Sequence, residues 1–304
     1  MRTPFAKRTW ASEAVDFQLL LARLFDGLAN GSTYAMLALA LVIIYKATTL
    51  INFAQGEMAM IGTYIAYTAW FNWGVPMWGA VAIAVVLSAL GGAGIERVFI
   101  RPFDPADHLP LVIITLGLLL ALNSLAGIIW RFDPLRFPEL FPSGNAIEWG
   151  TARLSWYTVF TVATIVIVLV LLTLLLNTTK IGLAFRSVSS NLESSELVGI
   201  RLGPTLQFGW ALAAAVGTLG ACVFAANPVL SLEPSFMLRV LIFASAAAAL
   251  GGLDSLWGAL VGGLLVGFVQ SVLVQYIPFI PNQMSLAAAV VVLLAVLLVR
   301  PPDA

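Results

Sequence analysis

From Trp156 to Leu176 the chain carries no charged side chain, and the end of this stretch reads IVIVLVLLTLLL. About 20 apolar residues in a helix match the roughly 30 Å hydrocarbon core of a bilayer. Nine runs meet or approach that length: Gln18–Tyr45, Leu50–Phe71, Val75–Ile95, Leu109–Trp130, Trp156–Leu176, Leu206–Ala226, Phe236–Leu250, Leu256–Ile277 and Met284–Val299. Backbone at membrane depth must satisfy its own hydrogen bonds, so each run should be helical. A membrane β-barrel is excluded because its strands alternate polar and apolar residues, and these runs do not.

The rest of the composition agrees. Charged residues are 10% of the chain and hydrophobic residues 61%, whereas a soluble domain carries about a quarter charged residues to wet its surface. The expected fold is all-α, a polytopic transmembrane helical bundle of eight to ten membrane segments with at least one broken or re-entrant segment. Candidates for the broken segment are the second run, which holds Asn52, Gln55 and Glu57, and the short seventh run, which holds Arg239. The domain reading is a polar N-terminal segment (1–17), one transmembrane domain (18–300) and a short tail (301–304). The N-terminal charges are followed by residues too polar for a signal-peptide core, so the first run should stay as a membrane helix. Lys and Arg divide about evenly between alternate loops, which leaves orientation open.

Several function classes drop out. Net charge is zero, with no basic run to hold nucleic acid. There is no P-loop, no H-E-x-x-H and no G-x-S-x-G elbow. One histidine (His108) and one cysteine (Cys222) rule out a Cys/His metal cluster and an internal disulfide. No catalytic residue, metal site or cofactor site is expected in this chain.

What remains is a few polar groups in apolar surroundings. Asn52-Phe-Ala-Gln-Gly-Glu57 sits between two apolar runs. A carboxylate at mid-membrane costs roughly 2.5–3.5 kcal/mol on insertion scales, so Glu57 should face the bundle or a cavity. Gly56 beside it would permit a helix break. The hexad is either the lining of a gate or pathway, or a buried hydrogen-bond network tying helices together, or a segment at the membrane interface. Asn30, Ser32, Asn52, Gln55 and Glu57 are the candidate pathway residues. Small-xxx-small pairs (Gly27 with Gly31, Gly258 with Gly262, Gly263 with Gly267) let helix backbones approach closely. The segment 131–153, rich in proline and aromatic residues, should form an ordered external cap, and 177–204 reads as a cytoplasmic loop.

The stretch Gly31–Tyr64 resembles the branched-chain amino-acid permease family of ABC importers. It carries Gly31, Ser32, Tyr34, Ala35 and Met36, then Ile51, Asn52, Phe53, Ala54, Gly56 and Glu57, then Ile61, Gly62 and Tyr64. Two further blocks are similar to the family: KIGLAFRSVSSNLESSELVGIR from Lys180, and GGLDSLWGALVGGLLVG from Gly251, in which Asp254 is a departure. The resemblance implies a permease subunit in the bacterial or archaeal cytoplasmic membrane that moves branched-chain amino acids or a related small polar solute. It implies partners as well: a second permease subunit in a heterodimer, two ATPase subunits that bind ATP and Mg, and an extracytoplasmic substrate-binding protein. Coupling to the ATPases is then expected through Gly182, Arg186, Asn191, Glu193 and Gly199, with Asn191 capping a helix of about two turns. The rival reading is a stand-alone ion-coupled secondary transporter, in which Glu57 would be the ion site.

Overall fold

The computed structural model describes residues 10–103, 108–150, 152–276 and position 291. Eight of the nine apolar runs are helices: α1 (Trp10–Thr48), α2 (Gln55–Phe71), α3 (Met77–Ile95), α4 (His108–Trp130) and α5 (Trp156–Thr178), followed, after the short helices α6 (Lys180–Ser190) and α7 (Leu192–Leu197), by α8 (Leu202–Ala225), α9 (Phe236–Gly251) and α10 (Leu256–Tyr276). The ninth run, apart from position 291, and the tail 301–304 lie outside the described residues. Helix α1 begins at Trp10, inside the segment read from sequence as polar.

Among the described residues five helices are long and apolar enough to cross a membrane: α1, α3 with its extension, α4, α5 and α8. Burial separates them. In α1, 83% of the apolar window is buried, against 22% in α4. Helix α1 is therefore the central post, packed by α5, α8, α9 and α10, while α4 lies at the periphery. Small residues make this possible. A side chain on Gly263 or Gly267 of α10 would collide with Ala35 or Gly31 of α1, and one on Gly258 or Gly262 would collide with α9 at Gly251 or Ala247. The two pairs on α10 thus serve two different neighbours.

Helix α3 runs on into a π-helical turn, Glu96–Ile100. Buried Glu96 pairs with Arg101 at 2.6 Å. Arg101 also donates to the Gly203 carbonyl (3.0 Å) and to Gln207 Oε1 (3.3 Å), which fixes the end of α3 to the start of α8.

The bundle departs from a purely helical one at the cap. Asn145–Trp149 (β1) and Ala152–Ser155 (β2) pair antiparallel. Gly144 and Gly150, at φ 102° and 63°, turn the chain where a side chain would strain it. Leu135 and Leu232 exchange backbone hydrogen bonds of 2.9 and 2.8 Å, tying the cap to the α8–α9 connection. The cap adjoins the start of α5 and α6 follows its end. A helix of 23 residues is about 35 Å long, so the cap and the α6–α7 segment occupy opposite ends of the bundle.

Candidate functional site

Helix α1 stops at buried Thr48, and exposed Thr49 follows it. Thr48 Oγ1 turns back to the Ile44 carbonyl (2.9 Å), and Thr49 takes the left-handed region at φ 53°. The break thus falls before Asn52, and not at Gly56 as the sequence suggested. A buried, non-helical turn must supply its own hydrogen-bond partners, and Asn52 does so. Its Oδ1 accepts from Ala54 N at 3.0 Å, and its carbonyl accepts from Gln55 N at 3.2 Å. Its Nδ2 donates to Gln55 Oε1 at 3.3 Å, and Gln55 Nε2 donates to the Ala213 carbonyl of α8 at 3.0 Å. The polar hexad is what lets the chain reverse among apolar helices.

Gly56 is helical, and its role is close approach. A Cβ there would lie 3.3 Å from the Met237 carbonyl and 3.2 Å from Leu241 Cβ. The first turn of α2 therefore meets the first turns of α9, bringing two buried helix starts together. Glu57, in that first turn of α2, is 1% exposed. Its Oε2 accepts from Asn123 Nδ2 at 3.3 Å, and the same nitrogen donates to the Pro234 carbonyl at 2.7 Å. One amide thereby joins α2, α4 and the entry to α9. The positive end of the α2 dipole favours a carboxylate at this position. Neither Asn123 nor Pro234 was singled out from sequence. An amide inside the Leu109–Trp130 run was the available signal, since polar groups at membrane depth face the protein interior.

The five candidate pathway residues separate. Asn52, Gln55 and Glu57 form this node. Ser32 is buried in α1 with no hydrogen-bond partner for its Oγ among the described residues. Asn30 lines a different space, a cavity of about 860 Å³ at the cap end.

The coupling residues lie at the far end. Thr179 Oγ1 caps α6 by accepting from Gly182 N at 3.0 Å, and Gly182 leaves no room for a side chain against the carbonyls of Leu175 and Leu176. Phe185 is buried against Gly209, which plants α6 on α8. Arg186 is exposed and donates to Asn177 Oδ1 at 3.3 Å. Asn191 Oδ1 accepts from Ser194 N at 2.8 Å and caps α7, with Glu193 exposed in its first turn. Helix α7 has six residues, close to the expected two turns, and ends where Val198 leaves helical geometry. Gly199 lies beyond it at φ 85° and turns the chain toward α8. Between α6 and α7 runs a groove of about 510 Å³ lined in part by Arg186, Asn191 and Val198.

A helical bundle with a buried polar node between two helix starts, and a polar helical segment at one end, is the architecture of a membrane permease. Residues 23–299 match the family described as branched-chain amino acid transport system, permease component, and the chain belongs to it. It is 29% identical over 302 residues to the high-affinity branched-chain amino acid transport system permease protein LivH of Escherichia coli K12, covering 94% of this chain and 95% of that one. It is also 29% identical to the high-affinity branched-chain amino acid transport system permease protein BraD of Pseudomonas aeruginosa over 263 residues, 83% of this chain and 85% of the relative. Its fold is like that of a solved chain of PsaBC from Streptococcus pneumoniae in complex with Fab, with a TM-score of 0.51, 15% identity and 96% of each chain covered. The chain is accordingly a multi-pass transport protein of the cytoplasmic membrane.

Proposed function

We propose that this chain is the permease subunit of an ABC importer and forms part of the pathway for a branched-chain amino acid or a related small polar solute. The observation that carries this reading is the node at Glu57, where one asparagine ties the start of α2, the entry to α9 and α4 into one polar junction. A gate needs elements that can part without leaving polar groups stranded. Amides and a carboxylate can exchange partners with water or solute when helices separate. In this reading the bundle has eight to ten membrane segments, and Asn52, Gln55 and Glu57 form the gate, with Ser32 in the adjoining central helix. Asn30 belongs to the external mouth. The segment 177–204 lies in the cytoplasm.

Energy then comes from outside the chain. Two ATPase subunits bind ATP and Mg and press on α6–α7 through Gly182, Arg186, Asn191, Glu193 and Gly199. A second, related permease completes the pathway, and an extracytoplasmic binding protein delivers the solute. The relatives are named as permease proteins of a transport system, which supports a chain that is one component among several.

The test is uptake of labelled leucine into proteoliposomes holding the chain with its second permease, its ATPases and its binding protein. Uptake that requires ATP and stops with vanadate supports the proposal. Uptake by the chain alone, driven by an ion gradient, would instead establish a secondary transporter with Glu57 as its ion site.

A further inference from the structure

The cavity at the cap end holds chemistry that the Glu57 node does not use. At about 860 Å³ it has the size of a small-molecule site, and residues of α1, the cap, α5, the α8–α9 connection, α9 and α10 line it. Charges of both signs are present. Arg239 comes from the first turns of α9 and Glu139 from the cap. Among the described residues neither is hydrogen-bonded or ion-paired, whereas Arg23 and Asp26, which also line the cavity, pair with each other at 3.2 Å.

A third polar group is held in place. The Tyr34 hydroxyl, on a side chain 5% exposed, donates to Gln270 Oε1 at 2.5 Å. Tyr34 is itself stacked on Phe243 at 4.8 Å. With its oxygen engaged, Gln270 keeps both amide N–H donors for the cavity that it lines. Phe141 and Val229 add apolar wall.

We propose that this cavity is a subsite for a small zwitterion, in which Arg239 and Gln270 take the carboxylate and Glu139 takes the ammonium. Arginine presents a planar fork that matches a carboxylate with two parallel bonds. A neutral zwitterion satisfies both unpaired charges at once, which a simple anion or cation cannot do. The apolar wall suits an aliphatic side chain. The inference rests on the reading of the chain as an amino-acid importer subunit, and it places recognition in the permease itself, at the end opposite α6–α7.

The experiment is equilibrium binding of labelled L-leucine to the full-length protein in lipid nanodiscs, with L-leucinol (no carboxylate) and 4-methylpentanoate (no ammonium) as competitors. Saturable leucine binding is expected, with both competitors weaker by about tenfold or more, as loss of a charge-assisted bond implies. Arg239→Gln should weaken leucine by a similar factor and leave leucinol unchanged. Glu139→Gln should weaken leucine and leave 4-methylpentanoate unchanged. Arg239→Lys keeps the charge without the fork and should fall between. No saturable leucine binding, equal binding of all three compounds, or parental affinity in both Gln variants would each overturn the subsite. Parental ATP-driven leucine uptake by both Gln variants in the assembled importer would also overturn it while leaving the importer reading intact. Absence of any amino-acid uptake by the assembled parent would overturn the importer reading itself.

Discussion

Asn123 reaches out of the apolar helix α4 and donates to the buried carboxylate of Glu57 at 3.3 Å. Because the same nitrogen also holds the Pro234 carbonyl at 2.7 Å, any motion that separates α2 from α9 must release one of two bonds on a single amide. Glu57→Gln keeps the acceptor oxygen and the volume but removes the charge. Transport is expected to fall at least tenfold while the protein still elutes as a single species. Glu57→Leu should abolish transport, and leucine uptake at the parental rate would show that the carboxylate is dispensable. Loss of monodisperse protein in Glu57→Gln would instead make the node a structural tie.

Asn123→Leu tests the other half of the pair. It leaves Glu57 buried without its donor, a loss of about 1–3 kcal/mol. The melting temperature should drop, and the double variant Asn123→Leu with Glu57→Leu should recover part of that stability. A strictly additive double variant would show that the two side chains do not act on each other.

The α1–α10 contact yields a stability prediction. A side chain on Gly267 meets the backbone of Gly27 and Gly31, whereas one on Gly91 meets nothing within 4 Å among the described residues. Gly267→Val should cost about 1–3 kcal/mol or more through overpacking, visible as a lower melting temperature in detergent. Gly91→Ala should be neutral or slightly stabilising, because alanine suits a helix better than glycine. Equal effects at the two sites would mean that the close approach contributes little.

Much of this fold was legible because lipid imposes one rule on every spanning segment. Charge-free runs such as Trp156–Leu176 must be helical, and glycines four apart such as Gly263 and Gly267 mark close packing. Asn191 was legible as a cap for the same local reason: its side chain needs only the next few residues. The break at Thr49 was not, since a left-handed non-glycine residue is set by its surroundings and not by its own preference. Asn123 is one amide in a leucine-rich run, and only the tertiary fold shows that it meets Glu57, 66 positions away in the chain. The cap over 131–153 was legible as ordered from its prolines and aromatic residues, but the hairpin at 145–155 inside it was not, although Gly144 and Gly150 sit where its turns fall. In the Glu57 site, then, the residues on one strand of chain could be read and their partners could not.

Topology follows from the opposed ends of the bundle. Ser190 closes α6 and is exposed, while Cys222 is buried in α8 with its Sγ 3.9 Å from Thr63 Oγ1. Cys222→Ala removes the native thiol at little cost, and Ser190→Cys then supplies one reporter. A membrane-impermeant maleimide should label it in inside-out vesicles and fail to do so in intact cells. Labelling from outside would place α6–α7 on the wrong face and remove the basis for ATPase docking.

The last prediction concerns that docking. Helix α6 is anchored by Phe185 against α8, so a push on α6–α7 passes directly to a helix that carries the Ala213 carbonyl, the acceptor for Gln55. Arg186 and Glu193 are exposed on this lever, and the groove between α6 and α7 is the concave surface that a partner could grip. Arg186 spends one donor on Asn177 and keeps others free to pair with a carboxylate. Arg186→Ala and Glu193→Lys should each weaken copurification with the ATPase subunits, or leave ATP hydrolysis running without uptake, while membrane insertion stays normal. Asn191→Ala removes the α7 cap at about 1 kcal/mol and should act in the same direction but more weakly, because it loosens the helix without touching the partner. Copurification and uptake at the parental level in both charge variants would move the coupling contact elsewhere on the chain.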